Sequence, residues 1–226
     1  MILKLGVVVF HQNPFLIYKE RWVKKSLSSI VKQTVADLNF YEIDYSGKDL
    51  CLLKDYPVQN LKFYSEKMSN YAEAMNFIIS KAFDDGCDYV FNTNVDDFYM
   101  IDRIKKELDL AESGKYDLVS SDFCYIREKV NYQGETEDEI FIVMNIYKRP
   151  ENIIHCLRNN ENVIAHPSVC YSRRFWEGNK YDTSKTPQED LCLWKESIEK
   201  GYKFAIHPEI LLYYRIHENQ VSKKKE

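Results

Sequence analysis

Apolar and polar positions follow two rhythms along the first half of this chain. Residues 3–10, 38–43, 61–64, 89–92 and 118–121 are short apolar runs with the length of buried strands. Residues 18–32, 71–83 and 101–112 instead repeat their apolar side chains every three or four positions, as amphipathic helices do. Trp22, Leu27, Ile30 and Val31 fall on one side of the first helix. Ala74, Met75, Ile78, Ile79 and Ala82 fall on one side of the second, and Ile104, Leu108 and Ala111 on one side of the third. Gly86 and Gly114 stand as helix stops. Strand and helix alternate, which predicts an α/β fold with a mostly parallel central sheet and helices on both faces.

The second half is less regular. Residues 140–147 are apolar and β-rich, while 126–139 and 148–162 read as polar excursions containing Gly134, Pro150 and several Asn. Residues 163–171 suggest a strand. Residues 191–200 suggest a helix with Leu191, Trp194 and Ile198 inward and Gly201 as its stop. Residues 204–206 and 211–213 suggest short strands. Neither linker nor internal repeat interrupts the chain, so residues 1–226 are expected to form one domain.

Open α/β sheets bind ligands at the carboxyl ends of their strands. There the pattern places His11, Gln12 and Asn13 after the first strand, Asp44 after the second, and Asn94, Asp96 and Asp97 after the run at 89–92. Adjacent carboxylates at a strand end suit a hard divalent cation, and such a cation suits a phosphate-bearing substrate. A solvated loop opening the next helix accounts for the same acids equally well. Thr186-Pro187-Gln188-Glu189 has capping-box spacing, which gives Glu189 a structural task and puts Asp190 in the first helical turn. Asp190 is there either a favourable helix-start charge or a carboxylate able to take a proton from a substrate hydroxyl. Near the end, Arg215 and His217 project to one side of an extended segment. Arg suits a diphosphate and His a borderline metal. His166 is a candidate pocket residue or a satisfied structural histidine.

Composition narrows the class. The chain has 226 residues, 45% hydrophobic and 29% charged, with a net charge of −4, as in a soluble globular protein without a nucleic-acid partner. No apolar run approaches the roughly 18 to 20 residues that would span a bilayer. The N-terminus leads into a strand and not into a signal peptide. The basic run Lys223-Lys224-Lys225 reads as a solvated terminus able to touch an anionic membrane surface. Six cysteines without a pairing pattern suit reduced thiols in the cytoplasm. Seventeen tyrosines are unusual; they suit ring stacking as well as ordinary packing.

Taken in order, these segments resemble the family 2 glycosyltransferases of the GT-A fold. Residues 26–34 look like that family's first helix with its closing Gln-Thr. Residues 42–49, with Asp44, resemble the Val-Asp-Asp-Gly-Ser segment, and Ala74-Met75-Asn76 the Ala-Arg-Asn helix. Asn94-Val95-Asp96 stands at the Asp-x-Asp metal motif, Glu189-Asp190 at the Glu-Asp motif, and Tyr214-Arg215-Ile216-His217 at the Tyr-Arg-x-His motif. The resemblance implies a Rossmann-like GT-A domain. Residues 1–125 would hold the nucleotide-sugar and 126–226 the acceptor. It implies Asp190 as catalytic base, with His11, Asn13, Asp44, Asn76, Asn94, Asp96 and Arg215 on the donor. Asp96 and His217 would hold Mn²⁺ or Mg²⁺, and His166, Trp176 and Glu189 would face the acceptor. Asn94 departs from the motif's first Asp and brings no charge, Tyr45 replaces the second Asp of the nucleotide segment, and 126–162 has no counterpart.

The implied activity is inverting transfer from a nucleotide-diphospho-sugar, UDP-linked first, to a glycan or glycoconjugate hydroxyl. Two other classes fit the residues. A sugar nucleotidyltransferase would carry a Gly- and Arg-rich phosphate loop, which His11-Gln12-Asn13-Pro14 is not. A non-catalytic nucleotide-sugar or glycan-binding module would explain Asn94.

Overall fold

The computed structural model describes residues 2–144, 150–218 and 220. Four strands build its parallel half: β1 (Leu5–His11), β2 (Asn39–Asp44), β3 (Asn60–Ser65) and β4 (Tyr89–Thr93), in the order β3-β2-β1-β4. β1 is central, and its Val7 pairs with Phe40 on one side and Phe91 on the other. Every residue of β1 is buried, which is why its sequence is an unbroken apolar run. Helix α3 (Tyr71–Asp84) packs on β1 and β2. Asn70 caps it by accepting from the Glu73 N–H, and Glu73 in turn accepts from the Ser69 N–H. Its Ala74, Met75, Ile78, Ile79 and Ala82 are wholly buried, as their spacing predicts, and Gly86 follows at φ +93.

Past β4 the sheet continues as β8 (Cys170–Ser172), β6 (Leu118–Val130), β9 (Phe204–Arg215) and β5 (Phe98–Tyr99). β6 runs parallel to β9 and antiparallel to β8 and to β7 (Thr136–Met144). Nine strands thus form one sheet among the described residues. The helices here are α4 (Arg103–Gly114), α5 (Pro150–Arg158), α6 (Arg173–Gly178) and α7 (Glu189–Glu199).

Several expectations are corrected. The helix expected at 18–32 is α2 (Glu20–Val31), which starts after an extended Lys19; an unexpected short α1 (Pro14–Ile17), closed by the Tyr18 N–H on Pro14 O, precedes it. Gly114 is the last helical residue and not the stop; Lys115 takes the left-handed position at φ 50. A Cβ on Gly114 would lie 1.9 Å from the Tyr116 ring, so close packing excludes a side chain there. The polar stretch 126–139 is most of a hairpin. Arg127 and Lys129 on β6 pair with Glu139 across the strands, so strand residues carry charges that look like a loop. Within 148–162 lies amphipathic α5, burying Ile153, Cys156 and Leu157. Pro167 sits in a 3₁₀ turn, leaving only Cys170–Ser172 of the strand expected at 163–171. The two short strands near the end are the single strand β9. Residues 145–147 and Lys223–Lys225 lie outside the described residues.

None of the described helices is long and apolar enough to cross a membrane. Inside α4 lies a buried ion pair: Arg103 Nε donates to both Glu107 oxygens at 3.1 Å, and both side chains are essentially inaccessible. Burial raises the Glu107 carboxyl to about 7, against the pull of Arg103. Replacing Arg103 with Met should strand that carboxyl and cost roughly 3–5 kcal/mol. The double replacement Arg103→Met with Glu107→Leu should recover most of the loss. Urea unfolding of the three proteins tests this, and equal stability of the single and double variants would contradict it.

Candidate active site

A cavity of about 340 Å³ opens at the carboxyl edge of the parallel strands. Phe10, His11 and Gln12 come from the end of β1, Tyr45 follows β2, and Asn94, Val95 and Asp96 follow β4. The second half supplies Phe123 and Tyr125 from β6, Asn162 and Ile164 to Pro167, Glu189 and Asp190 from the start of α7, and Tyr214 and Gln220. The sheet's architecture therefore gathers side chains from across the chain.

Its acidic corner is the loop after β4. The Ser26 hydroxyl donates to Asn94 O at 2.8 Å, and the Asn94 N–H donates to the Tyr99 hydroxyl at 2.6 Å. From β9, the Arg215 N–H donates to Asp97 Oδ1 at 2.8 Å and its Nε–H to Asp96 O at 3.0 Å. Asp97 is 1% exposed. Burial and then the Asp96 charge push its carboxyl well above the usual range, against Arg215. Asp96 instead faces the cavity, and its Oδ2 lies 3.0 Å from His217 Nε2. The His217 ring sits against Tyr18 and Trp22, with centroids 5.3 and 5.4 Å away.

A metal ion can be tested against this corner. Among the described residues, no three His, Cys, Asp or Glu side chains group to hold an ion by themselves. Asp96 and His217 do meet, and the buried Asn94 Oδ1, at a cavity-lining residue, has no hydrogen-bond partner. Carboxylate, amide oxygen and imidazole form a donor set that fits Mg²⁺ or Mn²⁺ provided the ligand supplies further oxygens.

Beneath the β1–β2 end of the cavity lies a second buried network. Glu42 accepts from the Leu53 N–H at 3.0 Å and the Leu52 N–H at 2.5 Å, and it meets His11 Nε2 at 2.9 Å. Asp44 is tied to its own loop through the Ser46 N–H and hydroxyl and the Leu50 N–H. Burial alone would raise the Asp44 carboxyl; those bonds outweigh it and hold it below its ordinary value.

Across the cavity, Asp190 Oδ1 accepts from the Leu191 N–H at 2.6 Å and Oδ2 from the Asn162 amide at 2.8 Å. The expected capping box does not form. Gln188 is the N-cap, without a side-chain cap bond, and Glu189 is the first helical residue. Glu189 is buried, its Oε2 is unpartnered, and burial raises its carboxyl. His166 is held between the Tyr71 hydroxyl at 2.9 Å and the Tyr181 hydroxyl at 2.8 Å.

Of the residues read from sequence, His11, Asn94, Asp96, His166, Glu189 and Asp190 line the cavity, and His217 joins through Asp96. Five are placed elsewhere. Asn13 adopts a left-handed conformation before α1. Asp44 lies under the cavity floor. Asn76 spends both side-chain atoms on the Tyr181 backbone. Trp176 is core, bonded to Ser80. Arg215 turns its guanidinium to Asp138, at 2.5 and 3.2 Å, and is 1% exposed. Gln12, placed by the pattern after the first strand, also lines the cavity, whereas sequence reasoning missed Asn162 and the lining role of Tyr18, Tyr45, Tyr71, Tyr125 and Tyr214. The high tyrosine count was the one available signal.

No protein-family model matches the chain. An uncharacterized glycosyltransferase of Methanocaldococcus jannaschii is 25% identical over 220 residues, covering 92% of this chain and 71% of the relative. Among solved structures, TarS of S. aureus in complex with UDP-GlcNAc superposes with a TM-score of 0.68 at 14% identity, over 99% of this chain and 62% of that one. A mannosyltransferase of Pyrobaculum calidifontis in complex with GDP-Man and Mn²⁺ gives 0.64 at 14% identity, over 95% and 57%. The chain therefore spans about three fifths of these two solved structures. The likeness shows the fold: a mixed α/β domain of the GT-A type.

Burial depresses the His166 imidazole to about 4, while the Asp190 charge acts the other way. The unfolded chain takes that proton near 6.5. The stability gained from neutral His166 is therefore complete above about 6.5 and is lost as pH falls toward about 4. His166→Phe should cost about 1–3 kcal/mol at pH 7, since two buried hydroxyls lose a partner. Its stability should also fall less steeply than that of the parent between pH 6.5 and 4. Parallel urea-derived stability curves across that window would contradict the assignment.

Proposed function

We propose that this chain is a metal-dependent, inverting glycosyltransferase of the family 2 kind. It would move a sugar from a nucleotide-diphospho-sugar, UDP-linked first, to a hydroxyl of a glycan or glycoconjugate. The carrying observation is that the Asp96–His217 corner and the Asp190 carboxylate open into one cavity at the carboxyl edge of a GT-A sheet. Among the described residues, no Lys or Arg lines that cavity. An anionic donor entering beside Asp96 needs a counter-charge, which supports a divalent ion in that corner. The relatives support a nucleotide-sugar donor: one is named a glycosyltransferase, and the solved neighbours hold UDP-GlcNAc in one case and GDP-Man with Mn²⁺ in the other.

Asp96, His217 and the Asn94 amide oxygen would hold the ion, which when bound would act as a Lewis acid on the diphosphate. Phe10, His11, Gln12 and Tyr45 would receive the base and ribose, with Glu42 and Asp44 fixing the loop beneath them. The acceptor oxygen attacks the anomeric carbon opposite the departing diphosphate. A C–O bond forms as the bond to the diphosphate breaks, the hydroxyl proton passes to Asp190, and the centre inverts. Glu189, its carboxyl raised by burial, would face the acceptor beside the base. The acceptor would rest on the walls supplied by residues 126–226. All six cysteines are unpaired thiols, which accords with a cytoplasmic setting.

A panel of nucleotide-sugars with Mn²⁺, read by thermal shift and by donor turnover, tests the reading. Asp96→Ala should abolish metal-dependent donor binding. Asp190→Asn should lower turnover by roughly 10²-fold or more while leaving donor affinity nearly unchanged. Glu189→Gln should cost far less, because size and hydrogen-bonding capacity are kept and Asp190 remains to take the proton. Tight binding and turnover without any divalent ion would refute the metal assignment. A dead Glu189→Gln beside an active Asp190→Asn would reverse the two roles. Donor binding without any turnover would leave a nucleotide-sugar-binding module.

A further inference from the structure

Residues 158–162, Arg-Asn-Asn-Glu-Asn, form the link from α5 toward the cavity, and each of its asparagines has a defined task. The Asn159 amide donates back to His155 O at 3.0 Å and closes the end of α5. Asn160 turns the chain in the left-handed region, at φ 63, and its Oδ1 accepts from Lys195 Nζ on α7 at 2.6 Å. Arg158 Nε meets Glu199 at the far end of α7, at 2.9 Å. The link is thereby strapped to α7 at two points. Asn162 Oδ1 then accepts from the Ile164 N–H at 3.3 Å, which orients its amide nitrogen toward Asp190 Oδ2 at 2.8 Å.

We propose that Asn162 is the positioning residue for Asp190: its amide holds the carboxylate in one rotamer, turned toward the cavity. The proposal rests on the reading of Asp190 as the base. The Leu191 N–H belongs to the same helix as Asp190 and cannot fix the carboxylate relative to the opposite wall. Asn162 comes from a different element, so its bond sets that orientation. Asp190 also lies in the field of Glu189 on its own helix, and of His166, Tyr71, Tyr171, Tyr181 and Tyr214 across the cavity. With one oxygen on Leu191 and the other on Asn162, the remaining lone pairs stay available to an incoming hydroxyl.

The test needs no ligand at its first stage. In protein carrying ¹³C-carboxyl aspartate, the Asp190 signal, assigned by its loss in Asp190→Asn, is recorded at pH 7. Asn162→Ala should displace or broaden that signal, since the donor that fixes the carboxylate is lost. The isosteric Asn162→Asp should disturb it at least as much, because a like charge replaces the donor. With a donor that turns over, Asn162→Ala should lower kcat about tenfold and leave donor and acceptor KM unchanged. In an Asp190→Asn background the same change should cost nothing further. An unchanged signal in both variants overturns the proposal, as does a rise in acceptor KM with an unchanged kcat. An active Asp190→Asn would instead refute the base assignment itself, a failure distinguishable from that of Asn162.

Discussion

One buried guanidinium joins the parts of this molecule that the cavity needs together. Arg215, at the end of β9, holds the Asp96 carbonyl through Nε and grips Asp138 of the β6–β7 hairpin with both terminal nitrogens. Its backbone N–H takes Asp97, its carbonyl accepts from the Gln220 amide, and its plane lies 4.8 Å from the Trp22 ring centroid on α2. A buried arginine is costly to desolvate and is tolerated only when its donors are met. Burial alone would raise the Asp138 carboxyl, yet the bonds from Arg215 and then Lys25 hold it at about 2, so the pair stays charged. Strand, loop, hairpin and helix are thus fixed relative to one another by a side chain that faces none of the cavity.

The same chemical group meets three different fates around that cavity. Asp97 and Glu189 are buried and pushed toward the neutral form, whereas Asp44 is held ionised by donors from its own loop. Asp96 and Asp190 stand on the cavity wall with their carboxylates held by partners from other elements, His217 and Asn162, and keep coordination capacity unused. Environment, more than residue type, separates the two acids suited to chemistry from those that shape the walls.

Much of this could be read in the chain. β1, β4 and α3 stand out because full burial on both faces, or on one helical face, leaves an apolar record with a definite period. Asp96 was legible from its place after a buried strand; Asp190 needed the family resemblance, since an acid at a helix start is ordinary. The hairpin was not legible, because Arg127, Lys129 and Glu139 satisfy one another only once the strands are paired. That omission hid the true partner of Arg215, which in isolation looks like a phosphate ligand. The lining tyrosines come from separate elements and share no spacing, so no local pattern marks them.

The pairing of β6 with β9 has a consequence for how the molecule forms. Leu118 meets Phe204 and Tyr125 meets Tyr214, while the Arg215–Asp97 bond joins residues 118 positions apart in sequence. Such contacts pay the loop-closure entropy of long intervening segments before they return any energy. β1 and β2 pair across a much shorter stretch of chain, Gly6 with Asn39, and can condense first. The cavity wall made by Tyr214 and Gln220 is then among the last parts to arrive. A chain stalled before that step would present a nearly complete parallel half with an open, unformed site.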